Sequence, residues 1–401
     1  MANLKYWLWL AQMQRIPGPA KSALLAHFTT PEAIYYADRG ERALVDGITA
    51  AQLDALEDRS LAEADQILGF CQRLGVRIIT REDSEYPDRL RGIFDPPLLL
   101  YVQGRMPAFD DEVAIAMVGT RDCSQYGARV AERMGFELAS QGALVVSGLA
   151  KGLDALCLQG ALRAGGVVAA VIGGGHDIKY PSENRYLYED IAATGVILSE
   201  YPPGTEHKGS HFPVRNRIIS GLCLGTVVIE APRRSGALIT AHTALEQGRD
   251  VFAVPGPIDA PNSEGTNRLL LEGAIPALSA AGILAEYAGQ YPHKLRLKAV
   301  TAPEPLGQRN KKEAAPESQT DTLKEEPPLP VLDLSADHGL TDDQIRILRC
   351  LEEGVMQVDD IIETTQIPAR RVLSALTLLE VEDRVRQESG KRFVLAVTLK
   401  K

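Results

Sequence analysis

Cysteine is scarce in this sequence: its 401 residues include only Cys71, Cys123, Cys157, Cys223 and Cys350. No two cysteines form a CxxC pair and none has a histidine at metal-ligand spacing, so the sequence predicts neither a disulfide framework nor a structural zinc site. Long hydrophobic runs are also missing, because the apolar segment 6–11 is too short to cross a bilayer and no cleavage site follows it. We therefore expect a cytoplasmic protein with no membrane partner and with neither a metal nor another cofactor.

The chain also has fewer basic than acidic residues. Lysine and arginine total 43 against 53 aspartate and glutamate residues, which gives a formal net charge of -10. Bulk attraction to a polyanion is therefore excluded, and any nucleic-acid site must gather its cations locally. Aromatic residues make up 5% of the chain, which argues against a long base-stacking surface but not against one or two placed rings.

Residues 1–68 predict a small N-terminal helical domain of the SAM or helix-hairpin-helix kind. Apolar residues recur at helical spacing from Leu4 to Ala11, and helix caps are predicted at Thr30 and Thr49. The segment 15–21, RIPGPAK, resembles the turn of a helix-hairpin-helix motif, whose backbone N–H groups can bind a phosphate. An ordinary interhelical turn followed by a helix that starts with proline explains the same residues.

Residues 69–288 predict a Rossmann-like α/β domain. Six apolar runs rich in β-branched residues are continuous rather than alternating, which is typical of strands covered on both faces. These runs lie at residues 113–118, 143–146, 167–172, 195–198, 226–229 and 251–254. Helical patterns separate the runs, and two of them end at Gly142 and Gly248, where glycine favours a helix C-cap. The repetition of strand and helix predicts a doubly wound, mostly parallel sheet.

The C-terminal part of the chain predicts a linker and a further domain. Prolines among lysine, glutamate, glutamine and serine indicate an extended or disordered linker at residues 289–336. Residues 337–401 then predict a winged helix of three helices and a two-stranded wing, with a capping box at Thr341 and Gln344. Arg370 and Arg371 near the start of the third helix suit duplex DNA, but the acidic residues that follow suit a protein contact equally well.

Glycine, hydroxyl and cationic residues cluster just after the predicted strands. In an open parallel sheet these positions share one edge, where ligands bind. Glycine lets a phosphate approach the backbone, helix N-termini offer oriented N–H groups, and long cations neutralise charge. Tight packing explains any single loop as well, but together the loops predict an anion-binding rim. The candidate residues are Gly119, Thr120, Arg121, Ser147, Gly148, Lys151, Lys179, Arg215, Arg217, Arg233, Arg234, Ser235 and Gly236.

The motifs narrow the class of anion. The first strand-to-helix turn of the parallel sheet lacks GxGxxG and the chain has no GxxxxGK[ST], so neither a dinucleotide site nor a P-loop is predicted. Arg215 and Arg217 add more positive charge than one mononucleotide needs. For Arg217 the alternative is an ion pair with a carboxylate such as Glu200 or Glu230 that holds loops together.

Signals for catalysis are absent from the sequence. No nucleophile elbow, no carboxylate couple and no metal-ligand spacing stands out among the candidate residues. His176, His211 and His242 have no partner motif, so packing or hydrogen bonding explains them better than proton transfer. We therefore expect a binding protein rather than an enzyme.

Eight segments combine into a specific pattern: GTR, SQYG, VVSGLAKGLD, GGGHDIKYPSEN, LSEYPPG, HFPVRNRIISGL, VVIEAPRRSGALITAHTALEQGRDVFAVPG and EGTNRLLLEGA. Together they closely resemble the DNA-processing protein DprA (Smf) family, from about Tyr86 to Ala274. The helical domain and the winged helix also fit the layout of that family. One departure is Leu158, four residues after Asp154, where relatives often have a histidine. The role of that histidine cannot be required in this chain.

The resemblance implies a function and residue roles. It implies a protein of natural transformation that binds incoming single-stranded DNA, protects it and loads the recombinase RecA onto it. It also implies a homodimer formed through the Rossmann-like domains and no catalytic activity. Arg121 in GTR and Lys151 in LAKG match the residues that hold DNA in the family. The other cations at the strand ends are added to this set because of their position, and the resemblance does not assign them a role.

A second function is kept open beside the first. Related Rossmann-like folds include phosphoribohydrolases, which release the base from a nucleoside monophosphate and carry a PGGxGTxxE turn. In this chain residues 255–257, PGP, lack the second glycine, and residues 264–266, EGT, come too late to match. The pattern therefore favours DNA binding over this enzyme activity.

Overall fold

The computed structural model describes residues 3–296, 331–333, 340–382, 384–388 and 392–400. Most of the predicted linker, residues 289–336, lies outside these described residues. The chain divides into two compact units, Met1–Glu304 and Pro305–Lys401.

The first unit contains a series of helices that begins before the sheet and continues between its strands. Its helices are α1 (Leu4–Gln12), α2 (Gly18–Phe28), α3 (Pro31–Tyr36), α4 (Arg39–Arg42), α5 (Ala50–Leu56), α6 (Ala62–Leu74), α7 (Asp88–Arg91), α8 (Gln125–Ser140), α9 (Leu153–Arg163), α10 (Arg185–Thr194), α11 (His211–Gly221), α12 (Gly236–Glu246), α13 (Glu264–Leu271) and α14 (Ala280–Ala285). Its strands are β1 (Arg77–Thr80), β2 (Leu99–Gly104), β3 (Ala114–Val118), β4 (Leu144–Ser147), β5 (Val168–Ile172), β6 (Val196–Ser199), β7 (Gly225–Val228), β8 (Asp250–Ala253) and β9 (Ile275–Pro276).

These strands form one sheet in the order β1-β2-β6-β5-β4-β3-β7-β8-β9. All neighbours from β6 to β9 are parallel, and β2 pairs antiparallel with both β1 and β6 at the other edge. The predicted mostly parallel sheet is confirmed, and its six predicted strands are β3 to β8. The antiparallel strands β1 and β2 and the two-residue edge strand β9 were not predicted.

Helices cover both faces of the parallel strands. Every residue of β3 and of β5 is buried. Met117 of β3 packs in a cluster with Met134 and Leu138 of α8, whereas the preceding Ala116 packs in a second cluster with Ile218 of α11. Because neighbouring residues of a strand point to opposite faces, two covered faces require a continuous apolar run rather than an alternating one.

The direction in which the chain builds the sheet reverses at β3. Strands β4, β5 and β6 are added one after another on one side of β3, and β7, β8 and β9 on the other side. The crevice at the carboxyl ends of β3 and β7 is therefore a topological switch point, where open α/β sheets bind ligands. A ligand site is therefore expected in this crevice.

Helices α1 to α6 share a core with the edge of the sheet. Trp7, Leu8 and Leu56 pack in one cluster with Leu99 and Tyr101 of β2. The segment 1–68, predicted as a domain of its own, thus packs as part of the first compact unit. These helices cover one face of β2, which explains why that strand is apolar.

A buried arginine holds the helical segment together. Arg42 is fully buried, and its guanidinium donates to the carbonyl oxygens of Ile34, Tyr35 and Leu56 at 3.0, 2.9 and 2.9 Å. These carbonyls lie at the C-terminal ends of α3 and α5, where helix carbonyls have no partner within their own helix. The single side chain therefore satisfies two helix ends.

The second unit contains the predicted winged helix. Its elements are β10 (Val331–Asp333), α15 (Asp342–Cys350), β11 (Met356–Gln357), α16 (Val358–Thr365), α17 (Ala369–Val381), β12 (Val385–Glu388), β13 (Arg392–Leu395) and β14 (Thr398–Lys400). The capping box of Thr341 and Gln344 at α15 is present as predicted. Strands β12 and β13 pair antiparallel as the wing.

Three features are absent from the described residues. Within the described ranges, no helix combines the length and apolar content needed to cross a membrane. Nor do the described His, Cys, Asp and Glu side chains come together as a group of three or more suited to a metal ion. All five cysteines lie in described residues, and none of them forms a disulfide.

We expect Gly160→Ala to lower the free energy of unfolding, because α8 and α9 touch backbone to backbone at this point. A Cβ at position 160 would collide with the carbonyl oxygen of Glu132, and overpacking of this kind costs about 1–3 kcal/mol. Urea denaturation measures the change. The control Gly69→Ala, in α6, meets only the end of the Arg73 side chain at 3.5 Å and should gain up to about 1 kcal/mol from helix propensity. Equal stability of both variants would contradict the packing.

Candidate functional site

A pocket of about 410 Å³ opens at the switch point. Loops after β3 and β7 line it, together with the first turns of α9, α11 and α12. Of the predicted residues, the pocket wall contains Gly119, Thr120, Arg121, Arg215, Arg234, Ser235 and Gly236. Tertiary structure therefore brings together candidates that are up to 117 positions apart, between Gly119 and Gly236.

Helices α9, α11 and α12 begin at this pocket. Asp154 lies in the first turn of α9, Phe212 in that of α11, and Gly236 begins α12. The Ser235 hydroxyl accepts a hydrogen bond from the backbone N–H of Ala237 at 3.3 Å, so Ser235 is the N-cap of α12. Helix N-termini carry partial positive charge and unpaired N–H groups, which favours an anion in the space between them.

Asp154 is a buried carboxylate that sequence reasoning passed over. Burial raises its pKa, and the positive charge of Arg215 opposes that shift, followed by the backbone N–H groups of Ala150, Gly148 and Gly119. These N–H groups belong to the loops after β3 and β4, so one carboxylate holds two strand-end loops to the start of α9. The only signal in the sequence was an acidic residue directly after a glycine-rich loop, in the first turn of a helix.

Arg215 is a buried cation whose positive charge opposes the rise in the pKa of this carboxylate. Its Nη1 donates to the carbonyl oxygen of Val171 at 2.7 Å, and its guanidinium lies so close to Gly148 that no Cβ would fit there. Burial lowers the pKa of Arg215 to about 10, against the attraction of Asp154, so the guanidinium is charged at neutral pH. Arg215 supports the pocket wall from behind rather than projecting into solvent.

Arg121 and Lys151 lie on adjacent loops of the rim. The backbone N–H of Leu153 donates to the carbonyl oxygen of Thr120 at 3.3 Å, which joins the two loops. Arg121 is exposed, with its guanidinium carbon 4.7 Å from the ring centre of Phe212. Lys151 Nζ lies 3.9 Å from Asp122 Oδ1, and both side chains are mostly exposed. A surface pair of this kind is worth little, so both cations remain available to an anion.

The outer cations lie beside the pocket rather than in its wall. Arg233 is exposed, with Nε 3.8 Å from a carboxylate oxygen of Glu264. Lys179, in the loop after β5, has its Nζ 3.3 Å from Glu189 Oε1. Both ion pairs involve exposed carboxylates, so neither the arginine nor the lysine is fixed to its partner.

Three predicted residues are not accessible to a ligand. The hydroxyl of Ser147 is buried and donates to the carbonyl oxygen of Met117 at 2.6 Å. Gly148 is covered by Arg215. Ser147 and Gly148 therefore lie behind the pocket wall, where Arg215 covers the glycine.

Arg217 is the third of these residues, and its side chain is 14% exposed. Its guanidinium lies 2.7 Å from a Glu200 oxygen and 3.4 Å from an Asp95 oxygen. Burial by itself would lower its pKa, but the two carboxylates outweigh burial and raise it. The ion-pair alternative with Glu200 is confirmed, and Arg217 is not part of the pocket wall. An arginine two residues from Arg215 on a helix faces a different surface.

The N-terminal turn resembling a helix-hairpin-helix motif is also closed. The carboxylate of Asp95 occupies the space in which a Cβ of residue 18 would lie, at the first turn of α2. Nearby, Lys21 Nζ donates to the carbonyl oxygen of Ala11 at 2.8 Å, and burial lowers the pKa of Lys21 to about 8. An internal carboxylate thus lies against the start of α2, and that helix has proline in its first turn, as the ordinary interhelical turn predicts.

The side chains considered for catalysis have structural partners. Glu230 is buried and accepts hydrogen bonds from the backbone N–H of Ser124 at 2.9 Å, from the Ser124 hydroxyl, and from Asn262 Nδ2 at 3.4 Å. His176 Nε2 lies 3.1 Å from the Ile197 carbonyl oxygen, and His211 Nδ1 lies 3.0 Å from that of Gly173. These contacts fix loops, as the packing interpretation predicts for both histidines.

Known proteins resemble this chain over its whole length. The sequence profile of the family described as DNA recombination-mediator protein A matches residues 77–288, and that of the DprA winged helix domain matches residues 326–391. Protein Smf of Synechocystis is 32% identical over 408 residues, which covers 98% of this chain and 99% of that protein. DNA processing protein DprA of Bacillus subtilis is 39% identical over 241 residues, or 60% of this chain and 81% of that protein.

A solved structure resembles the fold. The X-ray structure of DNA processing protein A (DprA) from Streptococcus pneumoniae is 34% identical, with a TM-score of 0.63. It covers 70% of this chain and 97% of the pneumococcal chain.

We expect Arg215→Met to destabilise the protein, because it removes the positive charge that offsets the burial of Asp154 and the hydrogen bond to the Val171 carbonyl oxygen. A buried charge left uncompensated costs up to about 3–5 kcal/mol. The double variant Arg215→Met with Asp154→Asn should recover part of this loss, since no buried charge is then left alone. Thermal unfolding of the single and double variants measures the coupling. Strictly additive effects would contradict the electrostatic link.

We expect His176 to make the folded state sensitive to acid. Burial lowers its pKa to about 4, so between pH 6.5 and 4 the unfolded chain binds a proton that the folded chain does not. Stability should fall by roughly 3 kcal/mol as the pH drops through this window and should not depend on His176 above it. Urea titrations at several pH values test this. In His176→Gln this component of the pH dependence should be missing, and an unchanged slope would contradict the assignment.

Proposed function

This chain belongs to the DNA recombination-mediator protein A (DprA, or Smf) family, and from that premise we propose that it binds incoming single-stranded DNA in natural transformation, protects it and loads the recombinase RecA onto it. The observation that carries the proposal is the group of cations and helix N-termini at the carboxyl edge of the parallel sheet. In a protein with a net charge of -10, Arg121 and Arg234 line one pocket together with the first turns of α9, α11 and α12. Lys151 is exposed on the loop next to that of Arg121. Local charge of this kind binds a polyanion that the whole molecule would repel.

The pocket supports a single strand as the ligand rather than a duplex. Its volume of about 410 Å³ is in the range of small-molecule sites and can admit one nucleotide of a flexible strand. A base-paired nucleotide within a duplex cannot enter without leaving the helix. Cations and helix N-termini contact the backbone, which is the same for every base, so binding should tolerate many sequences.

The wider assembly is proposed on the family premise. A homodimer would place two rims on one molecule and lengthen the path available to a strand. In the winged helix, Arg371 pairs with Asp343 through contacts of 2.7 and 2.8 Å, which leaves the exposed Arg370 for a duplex. We therefore assign single-strand binding to the Rossmann-like part of the chain and RecA to a protein contact outside the pocket.

We propose that the protein is not an enzyme and acts in the cytoplasm. A phosphoribohydrolase needs a carboxylate free to act on the ribose. Asp154 is engaged by Arg215 and backbone N–H groups, and Glu230 by Ser124 and Asn262. Release of free base from AMP by highly purified protein would favour the alternative.

We expect Lys151→Ala to bind a 30-nucleotide single strand more weakly and with a shallower salt dependence. Removing one phosphate contact should lower the slope of log K against log salt by about 0.7 for single strands. The matched control is Lys294→Ala, since Lys294 lies near Gly142, at the amino ends of the strands, and pairs with Glu112 at 2.6 Å. Mobility shifts across salt concentrations measure both. If the slope falls equally in the two variants, the rim is not the site.

A further inference from the structure

A groove with aromatic and cationic walls lies on the outer surface of α8 and α9, and we call it the α8 groove. It encloses about 530 Å³. Its lining includes two aromatic rings and three arginines: Tyr126, Phe136, Arg129, Arg133 and Arg163. The rings are large and accessible, since Tyr126 is 37% exposed and Phe136 is 42% exposed. The outer surface of a helix that covers a sheet is normally polar, so two exposed rings in one groove indicate a surface that contacts another molecule.

Packing beneath the α8 groove holds it in shape. Val130 lines the groove and is itself buried in the core cluster between the helices and the sheet. Helices α8 and α9 touch backbone to backbone here, because a Cβ on Gly160 would press on the backbone nitrogen of Phe136. The Tyr126 hydroxyl donates to the carbonyl oxygen of Pro255 at 2.9 Å. A ligand therefore meets a surface that is already formed, which lowers the entropic cost of binding.

The arginines of the α8 groove are exposed and only weakly engaged. Arg133 Nε lies 3.7 Å from a Glu137 oxygen, and the arginine side chain is 64% exposed. Arg163 Nη2 lies 2.7 Å from a Glu132 oxygen, and this arginine side chain is 61% exposed. Arg129 is exposed as well, and among the residues that the structure describes no carboxylate forms an ion pair with it. Exposed ion pairs contribute little to stability, so all three guanidinium groups are available to incoming carboxylates.

The two glutamates favour a peptide over a nucleic acid as the ligand. A DNA strand carries a negative charge at every nucleotide, and Glu132 and Glu137 would lie beside some of these phosphates, where like charges repel. A peptide can place its acidic residues opposite the arginines, its apolar residues on the rings and neutral residues beside the glutamates. Tyrosine, phenylalanine and arginine are also the side chains that are enriched where proteins bind proteins.

We propose that the α8 groove binds a short acidic segment of a partner protein. An apolar side chain of the segment packs on Phe136 and Val130, and its carboxylates pair with the three arginines. The chain as a whole has a net charge of -10, so an acidic segment is repelled elsewhere and directed to this local positive charge. The groove reaches away from the DNA rim, because Phe136 lies about 15 Å along α8 from Tyr126. The proposal goes beyond DNA binding and does not depend on it.

A peptide selection identifies a ligand without assuming its sequence. Random decapeptides displayed on phage are selected on the full chain and counter-selected on the double variant Arg129→Glu with Phe136→Ala. We expect the enriched sequences to combine aspartate or glutamate with a large apolar residue. The most enriched sequence is then made as a fluorescein-labelled peptide, and its binding is measured by fluorescence anisotropy.

The single variants Arg129→Glu and Phe136→Ala should each weaken binding of this peptide about tenfold, as expected for the loss of a central interface side chain. A peptide with amides in place of its carboxylates should also bind more weakly, and binding of the acidic peptide should fall as salt is added.

A matched pair on another helix provides the control. Arg73, in α6, has its guanidinium carbon 4.6 Å from the ring centre of the exposed Phe70. Arg73→Glu and Phe70→Ala therefore change the same residue types outside the α8 groove and should bind the peptide as the wild type does. All variants are made in the full chain, and near-wild-type thermal unfolding shows that each is folded.

The outcomes are distinct. Loss of binding confined to the groove variants supports the site. Failure to enrich acidic sequences, or equal binding of the peptide to the wild type and the groove variants, overturns it. A 30-mer of oligothymidylate should not displace the peptide, and displacement would assign the groove to the DNA path and overturn the proposal as well. DNA binding at the rim is measured separately with Lys151→Ala, so failure of the peptide site leaves the proposed function intact.

Discussion

The site depends on two opposite charges buried beneath its wall, those of Asp154 and Arg215. Each charge eases the burial of the other, and Arg215 also donates to the carbonyl oxygen of Val171. The buried charges of the pocket wall therefore offset one another in part. The helix N-termini and the exposed cations of the rim are left to face the pocket. Because the buried charges offset one another and the exposed cations face solvent, an anion can bind here without rearrangement of the site.

Arginine has two separate uses in this acidic molecule. In the interior, Arg42, Arg215 and Arg217 donate to carbonyl oxygens or pair with carboxylates, and each holds together elements that are far apart in sequence. At the rim, Arg121 and Arg234 are exposed. The guanidinium suits both uses because it combines a permanent charge with a fixed, planar set of donors. The excess of acidic residues over the whole chain provides partners for the interior arginines and keeps the rest of the surface unattractive to polyanions.

The fold was accessible from the sequence where its physical basis is local. Continuous apolar runs predict strands covered on both faces, and β3 to β8 follow those runs closely. The missed strands have another origin. β9 has only two residues, and β1 is exposed at its start and so lacks a continuous apolar run. β2 is apolar because α1 to α6 pack on it from a distant part of the chain. The order of the strands depends on the path that the connecting helices take over the two faces of the sheet. That order places the switch point at β3 and β7 rather than at the other strands that end in glycine-rich loops.

The sequence by itself determined the architecture, the family and the edge of the sheet at which the site lies, because periodicity, caps and strand-end residues are properties of neighbouring positions. Only the tertiary structure decided which of the candidates reach the pocket. Ser147, Gly148 and Arg217 look like Thr120, Gly119 and Arg121 when residue types alone are considered. The two sets differ in burial, in the ion pairs of Arg217 with Asp95 and Glu200, and in the contact of Arg121 with Phe212. These contacts join residues that are far apart in the sequence.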